Sequence, residues 1–456
     1  MEDNKNIEIL RGDPKKALLK LAIPMVFALL LISFNNIIDR IWVAGLGTDA
    51  LAAIGFIAPL FMIIIGLGNG LGAGSNSSIS RFIGAKEHTN ANNSALHAIL
   101  IVGVVSIIIP VIGLCFFNQL VVYMGATSVM DYARAYGIPI LIGAFAFLYN
   151  LLFSSQLRAE GDMKKATFTM AAVEVINIII DPIFIYYFHM GIGGAAIATV
   201  ISSIIPTLVA VYWLFIEKKT YLDYNIHNFK YNTKIVKDIL VVGIPASIEQ
   251  FVISVANIIL NSMLVIVAGT SIIAAFNITF TILQLGMMPC IAIGTASITV
   301  AGVAYGAGEY DKLKTVCYYA ITISMAIASI ITVLLIIFAP QVSLLFTYNQ
   351  TNSDFYNLLV DMVRMLAAFL VVTPVGGICA MLFQGVGKGS VSLSLTIVRE
   401  LLFVIILAYI LGIVLGYGTI GIIVGFILGL LVGSVIAFIA FKIFLNRITS
   451  KPVSNA

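Results

Sequence analysis

Charged residues are scarce in this sequence. Only 10% of its 456 residues are Asp, Glu, Lys or Arg, whereas a soluble domain carries about 25%. The hydrophobic fraction is 61%, so too few polar side chains remain to cover a globular surface. This composition excludes a soluble enzyme and a disordered scaffold. The net charge of +4 is too small to indicate a nucleic acid as partner.

Cysteine and histidine are rare as well. Neither the four cysteines nor the four histidines show the spacing of a metal site, and the cysteines suggest no disulfide framework. The chain also lacks the nucleotide-binding pattern G-x-x-x-x-G-K-[ST]. Its glycine-rich segment 66–74 lies within an apolar run, so we interpret it as part of a closely packed helix. We therefore expect no cofactor and no enzymatic activity.

Long apolar runs fill most of the chain. A helix needs about 20 apolar residues to cross the hydrocarbon core, and its backbone polar groups must be satisfied within the helix. The runs therefore predict an all-α integral membrane protein with twelve transmembrane helices. These lie at about 18–43, 51–75, 94–117, 133–157, 166–188, 192–216, 237–267, 272–304, 315–338, 358–384, 392–415 and 419–445.

The basic residues predict the orientation of these helices. All but four of the 25 Lys and Arg residues fall in the termini and in alternate loops, on one side of the membrane. Three exceptions, Arg40, Arg134 and Arg364, lie at the helix ends on the other side of the membrane. The fourth, Arg399, lies inside helix eleven. By the positive-inside rule, both termini and segment 217–236 are cytoplasmic, and the protein is a multi-pass protein of the cell membrane.

The chain repeats itself. Helix one opens with Ala22-Ile23-Pro24 and helix seven with Gly243-Ile244-Pro245, an offset of 221; Glu174 and Glu400 correspond at an offset of 226. Six helices are an even number, so both copies enter the membrane from the same side and form parallel repeats. We predict two six-helix bundles, an N-lobe at 1–216 and a C-lobe at 237–456, joined by a cytoplasmic linker at 217–236.

Acidic residues inside the spans are functional candidates, because each costs at least a few kcal/mol to place in the membrane. In helix five, Glu174, Asn177 and Asp181 are spaced by three and four and share one face. Pro182 follows and frees a backbone carbonyl. Oxygen atoms of this kind suit a sodium ion, whereas the carboxylate alone would hold a proton. The sequence predicts a cation site and leaves the ion open.

Further polar residues belong to the same half. Asp39 lies in a helix that can bend at Pro24, Thr199 supplies a hydroxyl in helix six, and Tyr136 in helix four can hydrogen-bond a carboxylate. We interpret four intramembrane asparagines as packing residues that hydrogen-bond neighbouring helices. These are Asn35, Asn36, Asn257 and Asn261.

The second half differs from the first. The positions that correspond to Asp39 and Asp181 are Leu260 and Leu407, so we expect coupling in the first half. Glu249 is either a substrate-binding carboxylate or a structural residue. Glu174 and Glu400 are either secondary coupling sites or a repeated structural feature. Arg399 is either a substrate or secondary coupling residue or a structural charge. Adjacent residues on an α-helix do not face each other, so we expect Arg399 to pair with a residue other than Glu400.

The chain resembles the multidrug and toxic compound extrusion (MATE) family, in particular its DinF-type branch, over nearly its full length. The resemblance rests on Ser80-Arg81-Phe82-Ile83-Gly84-Ala85-Lys86, Arg158-Ala159-Glu160-Gly161-Asp162, Asn177-Ile178-Ile179-Ile180-Asp181-Pro182 and Gly194-Ala195-Ala196-Ile197-Ala198-Thr199. It implies a cation site at Asp39, Asn177, Asp181 and Thr199, which are the ligands if the ion is sodium. Glu249 sits where NorM-type and eukaryotic members carry an important glutamate, but the acid expected in helix ten of NorM-type members is absent.

The resemblance implies a sodium- or proton-coupled antiporter that exports amphipathic, often cationic, drugs by alternating access. Its partners are then the lipid bilayer and small amphipathic molecules, and we expect a monomer. The main alternative is a flippase for a lipid-linked saccharide, which needs a basic cavity, whereas this chain offers only Arg399 inside the membrane. An intramembrane enzyme lacks a nucleophile or metal cluster, and a channel is disfavoured by the asymmetry of the two halves.

Overall fold

The helical architecture agrees with the sequence prediction. The computed structural model describes residues 2–123, 125, 127–217, 220–347 and 354–450, and within these ranges all regular elements are helices. Ten helices are long and apolar enough to cross a membrane. Two further spans each consist of two helices that meet at a bend, of 45° in the first span and 44° in the second. Counting each bent pair as one span gives the twelve transmembrane helices predicted, and confirms the all-α class.

The first half contains nine α-helices. They are α1 (Glu2–Arg11), α2 (Pro14–Ala44), α3 (Thr48–Gly84), α4 (His88–Cys115), α5 (Phe117–Tyr123), α6 (Met130–Ile142), α7 (Ala144–Ala159), α8 (Met163–Pro182) and α9 (Gly191–Val211). Two π-helical segments, Ile183–Tyr187 and Tyr212–Glu217, continue α8 and α9.

The second half contains eight more. They are α10 (Thr233–Ala268), α11 (Thr270–Gly306), α12 (Tyr310–Thr347), α13 (Asp354–Leu366), α14 (Phe369–Gly385), α15 (Gly389–Ile397), α16 (Ile405–Tyr409) and α17 (Gly418–Thr449). Here π-helical segments lie at Val398–Val404 and Ile410–Val414, before and after α16.

Polar and small groups stabilise the two bent spans. The first bend separates α6 from α7 at Gly143. A side chain at this position would be too close to α9, because a Cβ atom would come within 3.0 Å of Val200 Cβ. The second bend separates α13 from α14, and Thr332 Oγ1 of α12 donates to the Ala367 carbonyl at 3.2 Å. A bend frees backbone groups, and in lipid each needs a new partner. The Ala367 carbonyl accepts from Leu370 N at 3.1 Å, and Thr332 is its second donor.

The chain forms two compact units. One contains Met1–Gly12 and Ile23–Ser247, and the other contains Asp13–Ala22 and Ile248–Ala456. The core of the first is built by α3, α4, α6, α7 and α9, and the core of the second by α10, α11, α13, α14 and α17. Two helices contribute to both units: α2 changes unit just before Pro24, and α10 just after Pro245. The lobe boundaries at 216 and 237 stay a prediction.

Small residues allow close packing inside the first unit. Segment 66–74 lies within α3, and a Cβ atom at Gly68 would come within 2.6 Å of Leu151 Cδ1 on α7. Apolar side chains gain no hydrophobic free energy by leaving lipid, so helices associate through such close contacts. The outward faces remain apolar: α4 is among the most hydrophobic spans, yet only 17% of its most apolar window is buried.

The linker packs on the first unit as an ordered strap. Its residues 220–232 are described, whereas 218 and 219 lie outside the described residues. Three strap amides donate to side chains: Leu222 N to Glu160 at 3.1 Å, Lys230 N to Asn93 at 3.2 Å and Asn232 N to His97 Nε2 at 2.9 Å. We call segment 220–232 the strap below.

Candidate functional site

Two helices bring the candidate cation residues of the first unit together. Asn35 and Asp39 are four residues apart on α2, and Glu174, Asn177 and Asp181 are spaced by three and four on α8. Side chains at these spacings project from one face of a helix. The polar faces of α2 and α8 meet within the membrane. We call these five residues the acidic cluster.

Asn35 is at the centre of the acidic cluster. Its side chain is only 4% exposed, and Nδ2 faces Glu174 Oε2 at 2.7 Å, Asn177 Oδ1 at 2.8 Å and Asp39 Oδ2 at 3.5 Å. An amide nitrogen has two hydrogens, so the longest of these three contacts is the weakest. Asn35 of α2 therefore joins Glu174 and Asn177 of α8, and it also lies beside Asp39 of its own helix. These interhelical hydrogen bonds agree with the interpretation of Asn35 as a residue that joins neighbouring helices, but its contacts with Glu174 and Asp39 were not predicted.

Asp39 and Asp181 form a pair of acids. Asn177 Nδ2 donates to Asp181 Oδ1 at 2.9 Å, and the carboxyl groups of Asp39 and Asp181 lie close enough for one to hydrogen-bond the other. Two carboxylates at this range repel each other strongly unless a proton or a cation lies between them. The pair is therefore suited to bind a single positive charge.

Two buried oxygen atoms of the acidic cluster have no hydrogen-bond partner among the described residues. These atoms are Asn35 Oδ1 and Asp39 Oδ1. A buried acceptor without a partner costs about 1–3 kcal/mol, so such atoms usually indicate a missing ligand or water. Both are oxygens, and oxygen is the ligand atom that hard cations prefer. The donor set therefore fits a sodium ion, and the carboxyl pair fits a proton.

Tyr136 and Thr199 are placed differently. Tyr136 of α6 lies near enough to Asp39 and Asp181 to interact electrostatically with both carboxyl groups. Thr199 Oγ1 donates to the Ala195 carbonyl of its own helix at 2.8 Å. Because Oγ1 is the donor in that hydrogen bond, its lone pairs remain available as acceptors. No hydrogen bond between Thr199 and the acidic cluster is present in the described part of the chain.

The acidic cluster carries no basic counter-charge. Within the described ranges, Asp39, Glu174 and Asp181 make no ion pair with Lys or Arg. The same ranges contain no group of three His, Cys, Asp or Glu side chains arranged around one metal position. The three carboxyl groups therefore do not converge on one point, although Asn35 connects them.

The second unit holds a separate polar group around Glu249. Gln384 Nε2 of α14 donates to Glu249 Oε2 at 3.0 Å and lies 3.4 Å from Ser392 Oγ of α15. Glu249 Oε1 is buried without a hydrogen-bond partner among the described residues. Sequence reasoning found Glu249 but missed Gln384 and Ser392. One sequence feature could have identified Gln384 as a candidate. It occupies the position of Arg158 in the repeat, at an offset of 226.

Arg399 pairs with Glu400, so the prediction that it pairs elsewhere was wrong. Arg399 Nε and Nη2 both lie 2.9 Å from Glu400 Oε1. The prediction assumed α-helical geometry, but Val398–Val404 is π-helical, and its wider turn changes the angle between adjacent side chains. Gly433 of α17 makes room for the arginine, because a Cβ atom there would come within 2.8 Å of Arg399 Cα.

Pro24 lies inside α2, two residues after the residue at which α2 passes from one unit to the other. Proline removes a backbone donor from the helix and clashes with the preceding turn. At Pro24, α2 therefore lacks one backbone hydrogen bond of its internal ladder. The role of Pro24 as a hinge stays a prediction.

Comparison with known proteins gives matches along almost the whole chain. A family model described as MatE matches residues 24–183 and 245–410. The probable multidrug resistance protein YoeA of Bacillus subtilis (strain 168) is 30% identical over 339 residues, which covers 72% of each chain.

Solved structures match as well. A crystal structure of MATE in complex with MaL6 has a TM-score of 0.95 and 36% identity, and the match covers 98% of this chain and 100% of that chain. A MOP superfamily transporter from Pyrococcus furiosus Vc1 (DSM3638), described as having a binding pocket of reversed polarity that suggests a different function, has a TM-score of 0.94 and 37% identity. That match covers 98% of this chain and 99% of the other.

Proposed function

The chain belongs to the MatE family, and from this we propose that it is a cation-coupled antiporter that exports amphipathic, often cationic, drugs. The relatives named as multidrug resistance and multidrug export proteins support export of more than one compound. Family membership confirms that the chain is a transporter and not an enzyme. The coupling ion is sodium or a proton, and it binds at Asp39, Asn177 and Asp181, with Thr199 as a further ligand and Tyr136 beside them.

The pairing of Asp39 with Asp181 carries this proposal. Their carboxyl groups lie within hydrogen-bonding reach, no basic residue of the described chain neutralises them, and Asp39 Oδ1 is buried without a partner. A pair of this kind binds one positive charge tightly when empty and releases it when its environment changes. Such a change of environment is what alternating access supplies.

The cycle follows from this property. A cation enters from outside, where its electrochemical potential is high, binds at Asp39 and Asp181 and favours release of the drug to the outside. The protein then opens to the cytoplasm, releases the cation and binds another drug molecule. A bend of α2 at Pro24 connects the acidic cluster to this change, since Asp39 lies on the same helix. Both termini face the cytoplasm, and the monomer is the functional form.

Asp181→Asn tests the proposal. The amide keeps the size and a hydrogen-bond acceptor for Asn177 but removes the charge that the cation needs. We expect loss of ethidium efflux driven by an imposed sodium or proton gradient in proteoliposomes, with normal insertion and thermal stability. The control is Asp131→Asn, which removes an exposed carboxylate from α6 of the same unit and should leave efflux unchanged. Unchanged ethidium efflux in Asp181→Asn would overturn the proposal.

The same proteoliposomes separate antiport from lipid flipping. A flippase for a lipid-linked saccharide needs a basic site for pyrophosphate, but Arg399 is neutralised by its ion pair with Glu400. An antiporter concentrates ethidium against its gradient when the ion gradient is imposed. A flippase would translocate a fluorescent lipid-linked sugar and leave the ethidium distribution unchanged.

A further inference from the structure

We propose that Glu174 is a third coupling carboxylate, so that the acidic cluster takes up two positive charges in each transport cycle. One charge binds between Asp39 and Asp181, and the other binds at Glu174. Asn35 connects the two positions. This inference rests on the proposed antiport function and adds its stoichiometry. Each positive charge is a monovalent cation, either sodium or a proton.

The geometry favours more than one bound charge. Among the described residues, Glu174 is hydrogen-bonded towards the acid pair through Asn35, whose Nδ2 lies 2.7 Å from Glu174 Oε2 and 3.5 Å from Asp39 Oδ2. The three carboxyl groups do not surround a single position in the described chain. A cation between Asp39 and Asp181 therefore leaves the charge of Glu174 uncompensated. Glu174 is half-buried and accepts a hydrogen bond from Asn35, but no Lys or Arg of the described chain pairs with it. A carboxylate inside a membrane span without a counter-charge is unfavourable.

Asn35 supplies an observation that is independent of the acids. The residue is 4% exposed, and its Oδ1 has no partner in the described part of the chain, although Nδ2 is fully used. An asparagine that served only to join α2 to α8 would be expected to satisfy both ends of its amide. The unpartnered oxygen indicates that a donor or a cation binds beside Asn35 during the cycle.

The internal repeat gives the second argument. Glu400 occupies the position of Glu174 in the second unit, where Arg399 neutralises it at 2.9 Å. The residue that corresponds to Arg399 in the first unit is Val173. The repeat therefore provides a fixed counter-charge for one glutamate and none for the other. A glutamate without a fixed counter-charge is free to bind a mobile cation.

Coupling stoichiometry tests the inference. Purified protein is reconstituted in proteoliposomes, the membrane potential is held at zero, and known sodium gradients, proton gradients or both are imposed. The final ethidium ratio then equals the ion ratio raised to the number of ions exchanged. For the unmodified chain, the sodium and proton exponents should sum to two. Glu174→Gln keeps the acceptor for Asn35 and removes the charge, so the sum should fall to one while ethidium is still exported.

The outcomes are distinguishable. A sum of one for the unmodified chain overturns the third carboxylate but leaves the antiporter intact, whereas no ion-driven accumulation overturns the proposed function itself. A sum of two that persists in Glu174→Gln also overturns the inference.

If Glu174→Gln does not transport, the bound charges are counted in detergent by sodium binding and proton uptake. Two charges for the unmodified chain and one for the variant are expected, and equal numbers contradict the inference. Asp131→Asn is the matched control and should keep the sum at two.

Discussion

The guanidinium of Arg399 lies in a narrow slot between α14 and α17. A Cβ atom at Gly376 would come within 2.6 Å of Arg399 Nη1, and one at Gly433 within 2.8 Å of Arg399 Cα. The side chains of Arg399 and Glu400 are 8% and 11% exposed. At this burial neither charge can be solvated by water, so each depends on the other. Both residues belong to the π-helical segment Val398–Val404, which packs against α17.

Breaking this pair should destabilise the second unit. Glu400→Gln leaves the arginine charge buried and unpaired, which costs about 3–5 kcal/mol. We expect a lower free energy of unfolding in detergent, measured by chemical denaturation. The control is Glu309→Gln, which breaks the more exposed Glu309–Lys312 pair and should cost about 0–1 kcal/mol. The double variant Arg399→Met with Glu400→Gln removes both charges and should recover most of the loss. A double variant as unstable as the single one would contradict this.

Single residues were the least predictable from sequence. Asp39 and Asp181 stand out because acids are rare in spans, and the structure places them together. Asn35 does not stand out, because asparagine is common between membrane helices and its neighbours on α8 are 139 and 142 residues away in sequence. The Arg399–Glu400 pair lies in a π-helical segment, and no pattern in the sequence indicates that segment.

Among the elements, the strap gains its order from side chains of α4 and α7. Asn93 Nδ2 donates to the Lys230 carbonyl at 2.6 Å and its Oδ1 accepts from Lys230 N, so one amide replaces two backbone hydrogen bonds. Tyr224 donates to Gln156 Oε1 at 3.1 Å. Burial, together with the charge of Glu160, raises the pKa of Tyr224 well above its ordinary value. The phenol therefore remains a donor at every physiological pH.

His97 should be a principal contact that holds the strap. Its Nε2 accepts from Asn232 N at 2.9 Å, and its ring packs against Phe229 and Tyr231 with centroids 4.7 and 5.6 Å away. His97→Ala removes both interactions and leaves the Asn232 amide without its acceptor. The loss of one partly buried hydrogen bond is worth about 0.5–1.5 kcal/mol. Opening of the strap should become about tenfold more frequent, which corresponds to about 1.4 kcal/mol.

Hydrogen exchange read by mass spectrometry measures this opening directly. Peptides that cover 225–235 should exchange faster in His97→Ala than in the unmodified chain. Asn90→Ala is the control, because Asn90 is hydrogen-bonded to Glu87 and not to the strap. Equal exchange in the strap of both variants would show that His97 does not hold it.

Elements were more predictable than residues because the bilayer constrains them strongly. A span must be helical and about 20 residues long, so composition alone located the twelve spans. The breaks within spans were not predicted. Ala367 and Ala368 separate α13 from α14, and nothing in two alanines indicates a 44° bend. Thr332 of α12 hydrogen-bonds the carbonyl at this bend, and a tertiary contact of this kind cannot be read from the sequence.

At the scale of the whole molecule, a repeated architecture carries two different interiors. The positions of Asn35, Asp39, Asn177 and Asp181 correspond to Ala256, Leu260, Phe403 and Leu407 in the second half. Ala256 and Leu260 are 2% exposed there, within an apolar environment. The second unit instead places its charges at Arg399 and Glu400, where they neutralise each other. Glu249 of the second unit also lacks an ion pair among the described residues, but it is a single acid. The asymmetry supports coupling through the first unit, because only there do two acids without a basic partner lie together in the described part of the chain.

Membrane orientation is the prediction that concerns the whole chain. The basic residues place the strap in the cytoplasm and the loop that precedes α6 outside. Among the four cysteines only Cys115 is exposed, so Cys115→Ser gives a background with no accessible thiol. On this background we introduce His227→Cys in the strap and Asp131→Cys at the start of α6, both at exposed positions. A membrane-impermeant maleimide should label Asp131→Cys in intact cells, and His227→Cys only in inside-out vesicles. The background itself should remain unlabelled in both preparations. The reverse pattern would invert the orientation and would require the driving cation to reach Asp39 and Asp181 from the opposite side.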